Sequence, residues 1–120
     1  MDEKVGAEIT SEGAAAVVAF KATSISDVEG ISAASEKIKG FIEQKHPNLM
    51  VFDFEGVKFF SSQVLGLLLD IRAKLTLYNG EVVISGINPQ LHRVFKITNL
   101  DKVFRFFPDS KSAIEAVGTN

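Results

Sequence analysis

The sequence predicts a single α/β domain in which about four helices pack against a mixed β-sheet of about four to five strands. Three observations favour this fold class. The chain has 120 residues, 46% of them hydrophobic, which is enough for one core. Short apolar runs alternate with helical patterns in its second half, and parallel strands require such crossovers. No repeat or linker divides the chain, so residues 1–120 are read as one domain, frayed at residues 118–120.

The first elements form a predicted β-hairpin and a helix. Residues 5–12 loosely alternate apolar and polar side chains, Glu12 and Gly13 mark a turn, and residues 15–21 form an apolar, partly β-branched run. Ser26 followed by Glu29 is a capping-box pattern, which predicts a helix start. The apolar face of this helix comprises Ile31, Ala34, Ile38, Phe41 and Ile42. The helix is predicted to end at residues 46–48, because the residue before proline avoids the helical region.

The middle of the chain predicts two strands and a second helix. Residues 49–54 are a compact apolar run, and a turn at residues 55–56 leads into a strand at residues 57–60. Ser61 and Ser62 then open an apolar segment that reaches Leu77, and Asn79 or Gly80 can provide a left-handed cap.

The last third predicts a strand, a short helix, a strand and a final helix. The strand covers residues 81–85, and the short helix runs from Asn88 to about Ile97. Residues 103–106 form the predicted last strand. Asp109 or Ser110 then caps a helix that ends at Val117.

The second helix carries more apolar surface than one core-facing arc needs. At about 100° per residue, that arc comprises Val64, Leu67, Leu68, Ile71 and Leu75. Leu65 and Leu69 fall outside it, on the flank that also holds Ser62. Two interpretations remain open: the first helix or its preceding loop covers these leucines, or they form a docking strip for a partner.

Four polar or flexible residues near this helix have structural explanations. A serine hydroxyl at a helix start accepts a backbone N–H, so Ser61 or Ser62 is a candidate N-cap. Gly66 costs about 1 kcal/mol relative to alanine inside a helix, which predicts close packing of its backbone against a neighbouring segment. Asp53 is predicted to shape a turn by accepting nearby backbone N–H groups rather than to act as a catalytic carboxylate.

The composition argues against several functional classes. The absence of cysteine removes disulfides and thiol nucleophiles, and two distant histidines are poor metal ligands, so neither a metal nor a cofactor is predicted. A net charge of −2 gives no general attraction to nucleic acid. The N-terminus lacks a secretory pattern, and the apolar runs are far shorter than the roughly 20 residues that cross a bilayer. We therefore expect a cytoplasmic protein that binds neither nucleic acid nor membrane.

The run VKFFSSQVLGLLL at residues 57–69 resembles the signature of STAS-domain anti-sigma factor antagonists. GEVVI at residues 80–84 resembles the family's next strand, NPQLHRVF at 88–95 its third helix, and DKVF at 101–104 the start of its last strand. The resemblance covers nearly the whole chain and implies a STAS-type fold.

The resemblance implies a non-enzymatic switch that binds other proteins. Family members dock on an ATP-binding anti-sigma factor serine kinase and thereby release a sigma factor. Phosphorylation by that kinase ends the docking, and a serine phosphatase restores it. The phosphorylated residue falls on Ser62, with Ser61 as the alternative, and the domain is expected to be a monomer or weak homodimer. The implied partner-binding residues are Asp27, Ser61, Ser62, Gln63, Leu65 and Leu69.

Three positions differ from the family pattern: Ser61 replaces the usual aspartate, Gln63 the second hydroxyl, and Val64 the first glycine of Gly-Leu-Gly. A second interpretation is therefore a non-phosphorylated STAS scaffold or ligand-sensing module. A small serine hydrolase is a weaker alternative, because the flanking glycines of a nucleophile elbow are absent and His46 and His92 are predicted at the surface. Phe104, Phe106 and Phe107 are predicted to pack in the core rather than line a ligand pocket.

Overall fold

The computed structural model describes residues 6–117, which form a five-stranded sheet with helices on both faces and a separate two-stranded sheet. The predicted start of the first strand at Val5 and the predicted fraying of residues 118–120 lie outside the described residues. The elements are β1 Ala7–Glu12, β2 Ala15–Phe20, β3 Ser24–Ile25, α1 Val28–Lys45, β4 Leu49–Asp53, β5 Phe59–Phe60, α2 Ser62–Thr76, β6 Glu81–Ser85, α3 Pro89–Ile97, β7 Arg105–Phe107 and α4 Ser110–Val117.

The large sheet has the order β1-β2-β4-β6-β7. β1 and β2 form the predicted antiparallel hairpin, whereas β2, β4, β6 and β7 are mutually parallel, so the sheet is mixed. The predicted fold class is confirmed. β3 was not predicted, because a two-residue strand is too short to show a period of two; it pairs in parallel with β5, Ser24 opposite Phe59.

The apolar runs follow from burial on both faces of the sheet. Phe52 and Ile84 point into the main core beneath α1, α2 and α3, whereas Val51 and Val83 point to the opposite face, where Ala113 of α4 covers them. A central parallel strand is buried on both faces, which explains why β4 reads as a continuous apolar run rather than an alternating one.

The structure corrects the start of the first helix. The N-cap of α1 is Asp27, whose Oδ2 accepts a hydrogen bond from the Gly30 N–H at 3.0 Å, and the capping box predicted at Ser26 is absent. Pairing of β3 through Ile25 keeps the chain extended past Ser26, and Asp27 is itself extended. The helix ends as predicted, at His46 in the left-handed conformation (φ 46°) before Pro47.

The end of α2 and the cap of α4 lie where the sequence predicts them, whereas the last strand begins and ends later than predicted. Asn79 is left-handed (φ 67°) after α2, and Asp109 caps α4 by accepting the Ser112 N–H at 2.7 Å, which holds the pKa of its carboxyl below the usual value. The last strand is Arg105–Phe107 rather than residues 103–106. A 3-10 turn at Leu100–Lys102 delays the strand, and Phe104 enters the core from the loop.

Among residues 6–117, no helix has the length and apolar character needed to cross a membrane. Within the same residues, no cluster of three or more histidine, aspartate or glutamate side chains is arranged to hold a metal ion.

Candidate functional site

Ser62 is the first residue of α2, and its side chain is exposed. The preceding residue, Ser61, is the extended N-cap (φ −81°, ψ 164°), and its backbone N–H donates to the Ile25 carbonyl at 2.9 Å. This bond joins the end of β3 to the beginning of α2. The exposed hydroxyl is therefore attached to a backbone position fixed by two elements.

Ser61 occupies the predicted N-cap position but does not cap through its side chain. Its Oγ is buried and has no hydrogen-bond partner among the described residues. The first turn of α2 also contains no acidic residue. The amino end of α2 thus keeps the partial positive charge of its unpaired N–H groups, next to the exposed Ser62.

Asp27 lies at the same edge of the structure as Ser62. β3 and β5 are parallel neighbours, and each leads into a helix, so α1 and α2 begin side by side. Asp27 is exposed, and its carboxylate caps α1. The structure thus brings these two predicted site residues to one surface.

The two leucines beside Ser62 differ in burial, so the docking-strip interpretation is wrong for Leu65 and remains a prediction for Leu69. Leu65 is 9% exposed and belongs to the main core, together with Leu91 and Phe95 of α3. The buried arc of α2 is therefore wider than the five predicted positions. Leu69 is 39% exposed and remains available to a partner.

α1 lies on the other flank of α2, so it is not what covers Leu65. Residues Gln63, Gly66, Leu67 and Asp70 of α2 face α1 across an open groove of about 380 Å³. Gln63 is half-buried in this groove rather than beside Leu69. Of the implied partner-binding residues, the structure therefore buries Leu65 and the hydroxyl of Ser61, and it places the other four at the surface or in the groove.

Two exposed apolar residues at this surface were not predicted as site residues. Val28, the first residue of α1, is 63% exposed, and Phe59 of β5 is 54% exposed. Side chains alternate along a strand, so burial of Phe60 directs Phe59 outward. The adjacent pair Phe59-Phe60 was the available signal, but periodicity alone does not tell which of two neighbouring phenylalanines faces the core.

A ladder of aromatic rings supports the strand before Ser62. Phe60 lies between Phe54 and Phe95, with ring centroids 5.6 and 5.9 Å away in edge-to-face geometry. Phe95 also contacts Phe104 and Phe106, so the predicted packing role of these two residues is observed. Phe107 packs against the second cluster, on the opposite face of the sheet.

Two polar residues fix the loops behind the site. Asn88 caps α3 by accepting the Leu91 N–H at 2.8 Å, and its amide donates to the Val57 carbonyl at 3.1 Å. Asp53 accepts the Glu55 N–H at 3.0 Å, which is the turn-forming role predicted for it. These bonds hold the segment that leads into β5.

Both histidines pack against aromatic rings. His46 packs against Tyr78 just beyond the carboxyl end of α2, so the length of that helix, roughly 20 Å, separates it from Ser62. His92 is half-buried rather than fully at the surface as predicted, because its ring packs on Phe106 with centroids 4.3 Å apart.

The groove between α1 and α2 contains an ion pair and an unexpected open space. Lys39 Nζ lies 2.6 Å from the Asp70 carboxylate. Their hydrogen bond raises the pKa of Lys39 and lowers that of Asp70. The predicted close packing at Gly66 is wrong: a Cβ added there meets no atom within 4 Å. The glycine therefore opens the groove instead of admitting another segment of the chain.

Residues 8–113 match the family model of the STAS domain. The chain belongs to the STAS domain family. The matched region contains both small strands, all of α1 to α3 and the Ser62 surface.

Solved structures show the same STAS fold at low sequence identity. An anti-sigma-factor antagonist (STAS) domain protein from Planctomyces limnophilus is 20% identical with a TM-score of 0.81, covering 92% of this chain and 95% of its own. An anti-sigma factor antagonist from Mycobacterium paratuberculosis is 24% identical with a TM-score of 0.82, covering 96% and 95%. The unphosphorylated form of the anti-sigma factor antagonist SpoIIAA is 17% identical with a TM-score of 0.81, covering 96% and 99%.

Proposed function

We propose that this STAS domain is a cytoplasmic anti-sigma factor antagonist whose docking on an anti-sigma factor serine kinase is ended by phosphorylation of Ser62. Docking releases the sigma factor held by the kinase, and a serine phosphatase restores the docking form. The protein acts by binding and catalyses no reaction. The observation that carries the proposal is the exposed hydroxyl of Ser62 at the amino end of α2 in a STAS domain.

The position of Ser62 supports it over Ser61 as the phosphorylated residue. A kinase must reach the hydroxyl with the γ-phosphate of ATP, and Ser62 is exposed, whereas the Ser61 Oγ is buried. One of the solved STAS structures is the Bacillus cell fate determinant SpoIIAA in its phosphorylated form, 20% identical with a TM-score of 0.73. The proposal extends such a modification to this chain.

The domain is expected to tolerate a phosphate on Ser62. The group adds about −1.5 to −2 charges near neutral pH. At the start of α2 these charges meet a helix dipole that no acidic side chain offsets and N–H groups that the Ser61 side chain does not cap. The fold is therefore preserved on phosphorylation.

The docked complex is expected not to tolerate it. The proposed docking surface combines the exposed apolar side chains of Val28, Phe59 and Leu69 with Asp27 and Ser62. Burying a doubly charged group among such contacts without a partner charge costs about 3 kcal/mol or more, which is at least a hundredfold in affinity. The same modification thus leaves the fold intact and breaks the complex.

The test is to incubate the purified chain with ATP and each anti-sigma serine kinase of the source genome. Fragment mass spectrometry is expected to place one phosphate on Ser62. Ser62→Ala should abolish it, and the matched control Ser61→Ala should retain it. Calorimetric titration should show at least a hundredfold weaker kinase binding after phosphorylation.

Two results would overturn the proposal. One is a folded, phosphorylated chain that binds the kinase as tightly as the unmodified chain does. The other is tight kinase binding with no phosphate transfer to Ser62 under any condition, which would instead indicate a constitutive binding module.

A further inference from the structure

The turn that ends α2 contains an asparagine followed by a glycine. Asn79 is exposed and left-handed (φ 67°), and its backbone N–H donates to the Thr76 carbonyl at 3.1 Å. The Gly80 N–H donates to the Leu75 carbonyl at 2.8 Å. These bonds close the carboxyl end of the helix, whereas Ser62 lies at its amino end. The turn is therefore separate from the proposed docking surface.

An asparagine side chain can react with the backbone nitrogen of the next residue, which is one reason why asparagine is thermolabile. Here the Gly80 nitrogen would attack the Cγ of Asn79, and the new N–Cγ bond would close a five-membered succinimide ring. The bond from Cγ to Nδ2 breaks, and Nδ2 leaves as ammonia with the proton of the attacking N–H. Water then opens the ring at either carbonyl, which gives aspartate or isoaspartate. Nothing is oxidised or reduced, and water is the only co-reactant.

Among residues 6–117, Asn79 is the asparagine best placed for this reaction. Glycine brings no side chain near the approaching Cγ and permits the backbone angles that ring closure requires. The other described asparagines, Asn48, Asn88 and Asn99, are followed by leucine or proline. Leucine crowds the attacking nitrogen, and proline has no N–H to lose. Asn99 is the best comparison, because it is also exposed and left-handed (φ 63°).

The fold restrains the reaction at Asn79 without excluding it. The attacking nitrogen is the one whose N–H is donated to the Leu75 carbonyl, so this bond must break before the ring can close. Opening one backbone hydrogen bond reduces the reactive population about tenfold. Helix ends open locally at much lower cost than the whole domain unfolds. Opening of the turn therefore controls the rate.

We infer that Asn79 is a site of spontaneous deamidation whose rate is set by opening of the turn at the end of α2. The aspartate product places a negative charge near Glu81 and at the carboxyl end of the helix, where the dipole is also negative. In the isoaspartate product the backbone is one carbon longer, so the hydrogen bonds of the turn no longer match. Both products weaken the connection between α2 and β6.

The first experiment follows the purified chain at one neutral pH and one temperature, in buffer and in guanidinium chloride. Peptide mass spectrometry detects the replacement of the amide by a carboxyl group at each asparagine. Asn79 should react about tenfold more slowly in buffer than in the unfolded chain. Asn99 is the internal control and should stay intact over the same period.

Three results of this experiment would overturn the inference. Conversion of Asn99 as fast as that of Asn79 would show that the glycine is not decisive. Equal rates at Asn79 in buffer and in guanidinium chloride would show that the turn imposes no restraint. An Asn79 that reacts in the unfolded chain and stays intact in buffer would show that the turn does not open in the native protein.

The second experiment loosens the turn without changing the reacting residues. The Tyr78 hydroxyl donates to the Pro47 carbonyl at 2.9 Å and anchors the turn. Tyr78→Phe removes this bond and should speed the conversion of Asn79 in buffer about fivefold, with an unchanged rate in guanidinium chloride. A rate in buffer equal to that of the wild type would overturn control by the turn.

The third experiment measures the effect of the aspartate product. Asn79→Asp reproduces this product in an isosteric side chain, so the wild type is its control. At low salt, the midpoint of urea unfolding should fall by about 0.2–0.5 M. An unchanged or higher midpoint would contradict the expected weakening of the connection between α2 and β6.

Discussion

Replacing Gly66 with alanine is expected to stabilise the fold by about 1 kcal/mol, the difference between these residues inside a helix. The intrinsic difference applies here without a packing correction, because the added Cβ meets no atom of a neighbouring segment within 4 Å and therefore neither clashes nor gains a contact. The helix is continuous from Ser62 to Thr76, so the glycine is well inside it.

Urea unfolding followed by circular dichroism measures the effect. With a slope near 2 kcal/mol per molar, the midpoint should rise by about 0.5 M without a change of slope. Gly40→Ala is the matched control and should behave alike, because its added Cβ is equally unobstructed. A loss of stability in Gly66→Ala alone would refute the reasoning, since it would mean that some segment packs closely on this backbone.

Three further predictions concern a turn, an ion pair and the phosphorylation site. Gly86→Ala should destabilise by about 2 kcal/mol or more, because φ is +65° and the new Cβ would lie 2.8 Å from the Asp53 carboxylate. Asp70→Asn should make the free energy of unfolding fall less steeply at acidic pH than it does in the wild type. The hydrogen bond to Lys39 lowers the pKa of Asp70, so the ion pair stabilises the fold above the usual pKa of 3.8, and this stabilisation is lost as the pH falls through the lowered pKa. Ser62→Asp should stabilise the domain by about 0.3–1 kcal/mol at low salt, because it adds the first acidic side chain to the amino end of α2.

Each of these predictions has a result that contradicts it. An unchanged melting temperature for Gly86→Ala would mean that the turn relaxes without strain. Parallel pH profiles of wild type and Asp70→Asn between about pH 5 and 2 would show that the ion pair does not contribute to folding. For Ser62→Asp, the isosteric Ser62→Asn is the control, and equal stability of the two variants would exclude an effect of charge at the helix start.

Periodicity was sufficient for the long elements. α1, α2 and the buried strand β4 were predicted within a few residues, because each repeats its apolar residues at the spacing of its own geometry. The helix end at His46 was also predictable, since proline restricts the residue before it whatever surrounds the chain.

Short elements and caps were less predictable, because neighbours in space select them. β3 exists through pairing with β5, and that pairing moved the cap of α1 from Ser26 to Asp27. Likewise, the 3-10 turn after α3 displaced the last strand towards the C-terminus. In a local sequence pattern, several neighbouring residues can serve equally well as a helix cap or a strand end. Which of them does so depends on tertiary contacts.

The sequence by itself determined the α/β architecture and the serine pair at the start of the second helix, because these depend on residue order and local periodicity. Only the tertiary structure decided which serine is exposed, that Leu65 is buried while Leu69 is accessible, and that Gly66 faces open space. Burial is a property of what packs against a residue, and a helical pattern gives the directions of side chains without the identity of the neighbours that cover them.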